Sequence, residues 1–179
     1  MRTTLILLLA IPLLLGAAIA VASPADTPGA SEGTTAQAAF ERLKGLEGEW
    51  HGKSRRGNDA ILTYQVIAGG NTVMEEYREI GEKGEISMHT LYHLDGEALM
   101  LTHYCISANQ PRMRADLSGA PEKLQFDLVD VTNLASPAAG HMARAVLELK
   151  GADRLVNAWT YRQNGKDQYT ETIEWQRRR

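Results

Sequence analysis

The chain has 179 residues, enough for one domain of ordinary size and too few for two comfortable ones. With 19 Lys+Arg against 22 Asp+Glu the formal charge is -3, which argues against a nucleic-acid binder, since such proteins carry a clustered basic excess. One cysteine excludes an intrachain disulfide and any multi-cysteine metal site, while 16 glycines and 44% hydrophobic content describe a domain rich in turns.

Residues 1–22 read as a signal peptide. Met1-Arg2 gives a positive start, Leu5 to Leu15 is apolar except for Pro12, and Ala20-Val21-Ala22 has the small-x-small pattern that precedes cleavage. The apolar stretch is short for a spanning helix and is interrupted by Pro12 and Gly16, so no stable membrane insertion is expected after cleavage. The product is expected to be exported, periplasmic or extracellular, with Cys105 as a lone thiol. Residues 23–35 (SPADTPGASEGTT) cannot bury a core and read as a flexible linker. Ala36 to Leu46 places Ala39, Phe40, Leu43 and Leu46 on one side, predicting a short amphipathic helix that opens a folded domain over 36–179.

From Trp50 onward, turn signals recur about every eleven residues, among them Asn58-Asp59, Gly69-Gly70, Asp95-Gly96 and Asn164-Gly165. The segments between them predict strands at 48–56, 60–68, 71–80, 85–94, 97–107, 111–118, 123–131, 141–150, 154–163 and 166–176. Hairpin-length links favour an all-β, single antiparallel up-and-down β-barrel over a two-sheet sandwich, whose crossing connections need longer loops than all but 106–112 and 132–140.

Gly48-Glu49-Trp50, directly after the helix and opening the first strand, resembles the Gly-x-Trp start of the calycin superfamily of lipocalins, fatty-acid-binding proteins, avidins and nitrobindin-like barrels. The resemblance implies that the helix closes one end of the barrel and that Trp50 packs across it near a basic residue of the last strand, which Arg177 to Arg179 could supply. Thr102-His103-Tyr104-Cys105 followed by Asn109-Gln110-Pro111-Arg112-Met113-Arg114 also resembles an uncharacterised family of exported bacterial proteins with a lipocalin-like domain. That second likeness covers most of residues 40–176 and brings no activity with it.

Two hairpins allow register arithmetic. A two-residue turn at Asp95-Gly96 sets Met88 opposite His103 and Ile86 opposite Cys105, on the more apolar and therefore inward face, with His89 and His93 outside. That geometry disfavours a two-histidine metal site. His103 and Cys105 share a face and could form a thiol–imidazole pair, although a buried thiol beside a hydrogen-bonded histidine is the plainer expectation. Arg112 and Arg114 point one way and Met113 the other. Unpaired buried cations are costly, so the arginines are expected on the surface or rim; turned inward, with Glu76, Glu171 or a ligand as counter-charge, they would grip a carboxylate or phosphate. The Asn164-Gly165 turn sets Trp159 opposite Thr170 and Thr160 opposite Tyr169, and neither resulting face is cleanly apolar, which suits a polar lumen or a homodimer contact.

The leading expectation is an exported small-molecule-binding barrel that performs no covalent chemistry, because ten strands enclose more space than side chains alone need fill. His103, Tyr104, Cys105, Arg112, Arg114, Trp159 and Tyr161 are its candidate ligand-binding residues, and Gly48 and Trp50 its structural ones. No catalytic constellation and no metal set is assigned. Haem binding, implied by the nitrobindin-like resemblance, is a second reading that needs His103 or His141 as axial ligand. A small enzyme using His103 with Cys105 or a buried glutamate is a third.

Overall fold

The computed structural model describes residues 35–82 and 84–179, so the signal-peptide and linker readings, Thr35 apart, lie outside the described residues. One helix, α1 (Ala36–Lys44), precedes ten strands: β1 (Gly48–Lys53), β2 (Asp59–Ile67), β3 (Thr72–Gly81), β4 (Gly84–Asp95), β5 (Ala98–Tyr104), β6 (Gln110–Asp116), β7 (Lys123–Thr132), β8 (His141–Leu149), β9 (Arg154–Gln163) and β10 (Lys166–Arg177). Each strand pairs antiparallel with its sequence neighbours, and β1 pairs β10, giving a closed up-and-down barrel. Closure leaves no open edge.

The helix begins where Thr35 accepts the Ala38 amide, 3.1 Å away, and ends with Arg42 and Lys44 facing the negative end of its dipole. Its apolar side lies across one end of the barrel, against β2, β4 and β5. There Phe40, Leu43, Trp50, Tyr64, Tyr92, Phe126 and Trp175 are all 2% exposed or less. These large side chains fill the helix-end half of the interior, so the wide continuous lumen expected from strand number alone is not formed. Among the described residues, interior free space survives toward the opposite end.

The seam between β1 and β10 explains the Gly-x-Trp pattern. Gly48 adopts φ 123°, a region that favours glycine, as the chain turns from the helix into the barrel wall. The Trp50 indole donates to the Leu46 carbonyl at 2.9 Å. Gly52 faces Trp175 across the seam, and a Cβ there would lie 2.8 Å from both the Glu174 carbonyl and the Ile173 side chain. Of the three terminal arginines, Arg177 is the one that stacks on Trp50.

Both hairpin registers need correction. At β4–β5 the pairs are Asp95–Ala98, Tyr92–Leu101 and Thr90–His103, not Met88–His103. The two-residue loop is Gly96-Glu97, with only Gly96 at positive φ, the pattern of a II′ turn rather than an Asp-Gly I′ turn. The shift is two residues, so every side chain keeps its expected face. At β9–β10 the expected pairs Lys166–Gln163 and Asp167–Arg162 form, but a bulge at Gln168 then sets Thr170 opposite Thr160 and Glu171 opposite Trp159. An extra residue exchanges inside and outside beyond it. Tyr169, Glu171, Ile173 and Trp175 therefore share the interior with Leu155, Asn157, Trp159 and Tyr161, which resolves the apparent mixing of polar and apolar residues on both faces.

Candidate functional site

The free interior has two connected parts. A chamber of about 40 Å³ is lined by Glu75, Tyr77, Met88, His103, Met142, Asn157, Trp159, Glu171 and Ile173. A vestibule of about 310 Å³ shares Tyr77, Met88, Met142 and Glu171 with the chamber and adds Arg55, Arg56, Cys105, Tyr161 and Tyr169. It opens at the end away from α1, between the loops that follow β1 and β5.

His103 forms the chamber's polar wall. It is 4% exposed, and its ring lies 4.6 Å from that of Trp159. Nδ1 is 3.0 Å from the Thr90 hydroxyl, which in turn donates to Glu75 Oε1 at 3.4 Å. With the Thr90 proton directed at Glu75, the Thr90 oxygen is left to accept, which assigns the His103 proton to Nδ1 and the lone pair to Nε2. Among the described residues Nε2 has no hydrogen-bond partner. Burial pushes the His103 pKa down to about 4, so the ring is neutral near pH 7.

Glu75, which sequence patterning did not single out, is the hub behind His103. Its Oε2 accepts from the hydroxyls of Tyr64 and Tyr92, each at 2.7 Å. Burial raises its pKa, while these hydroxyls and Thr90 pull in the opposite direction. The only sequence signal was its place among apolar neighbours on the inward face of β3.

A second hub shapes the vestibule. Glu79 accepts from Ser54, Asn58, Tyr77 and, through two nitrogens, Arg56. These bonds, led by Arg56, hold its pKa at about 2 and fix the loop after β1 at the rim. Beside it Arg55 stacks 4.4 Å above Tyr169, whose ring stacks on Tyr161 at 5.3 Å.

Of the candidate ligand-binding residues, His103 and Trp159 line the chamber, and Cys105 and Tyr161 line the vestibule. Three others do not reach either space. Tyr104 alternates with His103 and is exposed on the outer wall, opposite His89. Arg112 and Arg114 also face outward, with Met113 buried between them and Asp130 bonded to Arg112 across the β6–β7 ladder at 2.7 Å. The cost of unpaired buried cations is avoided, and inward anion recognition by this pair is not available.

The residues do not fit the haem reading. The space before His103 Nε2 is about 40 Å³, far below what a porphyrin needs, and Trp159 covers one face of the ring. His141 donates Nδ1–H to the Ala139 carbonyl and does not line the chamber. Nor are His103 and Cys105 hydrogen-bonded to each other: Nδ1 is held by Thr90, and Nε2 is unpartnered. Among the described residues no group of three or more His, Cys, Asp or Glu could hold a metal ion.

Comparison with known proteins supports the same architecture. The crystal structure of Rv2717c from M. tuberculosis is similar, with a TM-score of 0.60 at 16% identity, covering 79% of this chain and 98% of that one. A protein with unknown function from the DUF3598 family of Nostoc punctiforme PCC 73102 is similar with a TM-score of 0.52 at 13% identity. That match covers 76% of this chain and 49% of the other, so the chain spans about half its length. These neighbours and the ten-stranded closure fit a lipocalin-like barrel fold. No protein-family model and no curated protein sequence matches the chain.

Proposed function

We propose that this barrel binds a small molecule through the vestibule, without covalent chemistry. The observation carrying the reading is the unpartnered Nε2 of His103 at the end of an open, mixed apolar and polar passage. A buried polar atom without a partner costs roughly 1–3 kcal/mol, so a site that supplies one to water or ligand gains from occupancy. Met88, Met142, Tyr161 and Trp159 offer adaptable apolar contact, and few polar groups fix orientation, the usual division of labour in a binding pocket.

The test is titration with the neutral naphthalene probe prodan, followed by its blue-shifted emission. Saturable binding that is lost when Met142→Trp fills the passage supports the reading. Absence of saturable binding to the wild-type protein overturns it. Export accompanies the proposal, on the pattern of residues 1–22; N-terminal sequencing of the mature protein checks it by reading Ser23 as the first residue.

A further inference from the structure

The polarity of the inner chamber narrows the ligand class. Resting on the binding reading above, we infer that the chamber accepts the head group of a primary amine whose short tether leads to an aromatic or apolar body in the vestibule.

The charged and lone-pair groups of the chamber are hydrogen-bond acceptors. They stand beside one donor-bearing side chain, Asn157, whose Oδ1 accepts the Trp175 indole at 2.8 Å and whose amide N–H groups remain to donate. His103 Nε2 presents a lone pair because Nδ1–H is committed to Thr90. The Glu171 carboxylate accepts the Arg55 backbone amide at 3.2 Å and, among the described residues, has no cation within ion-pair distance. The Tyr77 hydroxyl is not a spare donor, because it donates to Glu79 at 2.9 Å. A carboxylate entering here could accept from the Asn157 amide but would also meet a lone pair and the negative charge of Glu171. An ammonium group would instead donate to both, and the bonds to Glu171 and His103 would be charge-assisted.

Size points the same way. About 40 Å³ admits a group the size of a water molecule or an ammonium, not a ring. The aromatic side chains of Trp159 and Tyr77 line the same space, and aromatic rings attract a cation placed over their faces. At the rim Arg56 is neutralised by Glu79 at 2.8 Å, whereas Arg55 lies over Tyr169 and keeps its charge, so the attraction for a cation rests on the inner groups. The aromatic or apolar body would then rest against Met88, Met142 and Tyr161.

Calorimetric titration of the full chain with 2-phenylethylamine, 2-phenylethanol and 3-phenylpropionate near neutral pH tests this directly. The amine is expected to bind about tenfold or more tighter than the alcohol, and the carboxylate weakest of all. In Glu171→Gln the amine-to-alcohol ratio should collapse toward one. Equal affinity for the three compounds, preference for the carboxylate, or an unchanged ratio in Glu171→Gln overturns the inference. Should that variant not fold, the wild-type ranking decides alone. Prodan binding with no amine preference would remove this inference and leave the binding reading standing, whereas loss of both removes both.

Discussion

The Arg177 guanidinium lies 4.1 Å from the centre of the Trp50 ring, joining the last strand to the first turn of the barrel wall. The same group donates to the carbonyls of Gly45, at 2.9 Å, and Glu47, at 2.7 Å, just beyond the end of α1. One side chain thus ties the helix, the β1–β10 seam and the aromatic core. Arg177→Ala should cost about 2–4 kcal/mol, from charged hydrogen bonds and a cation–π contact together. Arg177→Lys should recover less than half, because an ammonium cannot span two carbonyls while lying flat on the indole. Urea unfolding midpoints of the three proteins check the order.

Acid should destabilise the barrel through His103 first. Its folded pKa of about 4 lies below the ordinary 6.5, so between these values the unfolded chain binds the extra proton. Stability from the neutral imidazole is fully present above about pH 6.5 and is lost as pH falls toward 4, by up to roughly 3 kcal/mol. Glu79, held at about 2, loses its contribution in a lower window, from 4.5 down through 2. Glu75 acts with the opposite sign: its raised pKa favours the folded state at low pH and blunts the decline. In His103→Phe the fall in urea midpoint between pH 7 and pH 4.5 should be much smaller than in wild type. Equal falls would show that the imidazole is not the source.

The bulge at Gln168 makes an unusual deletion tolerable. Removing Gln168 leaves Asp167 outside opposite Arg162 and Tyr169 inside opposite Tyr161, already in alternation. The loss should be about 1–2 kcal/mol, chiefly its two side-chain bonds to the Gln163 and Lys166 carbonyls. Deleting Thr172 instead would turn Ile173 and Trp175 outward or break the ladder, and that protein should not fold. Circular dichroism melts of the two deletions distinguish them.

Cys105 lines the vestibule beside Met142 and Tyr161. Alkylation with N-ethylmaleimide should therefore narrow the passage and weaken prodan binding about tenfold, while Cys105→Ser should not. Fluorescence titration before and after labelling reads the difference.

Arg112→Ala and Arg114→Ala should leave prodan and amine binding unchanged, since both guanidinium groups are on the outer wall. The exposed Arg112–Asp130 pair should be worth less than about 1 kcal/mol in the same melts. A large loss of binding in either variant would contradict the outward geometry.

Turn spacing and β-rich segments were enough to predict ten strands, their approximate limits and closure into a barrel, because hairpin chemistry is local and short links restrict topology. Gly48 and Trp50 were singled out by the resemblance to the calycin Gly-x-Trp start, and the outward direction of Arg112 followed from the cost of burying charge. The alternation about His103 also survived a two-residue error in register, since a shift of two preserves the face. The Gln168 bulge did not show in sequence, where an extra residue in a strand looks like any other, and it alone decides that Glu171 faces inward. The Glu75–Thr90–His103 chain joins β3, β4 and β5, and only tertiary packing could bring those groups within hydrogen-bond reach. How much interior remains empty was likewise decided in three dimensions, by where the large aromatic side chains came to rest.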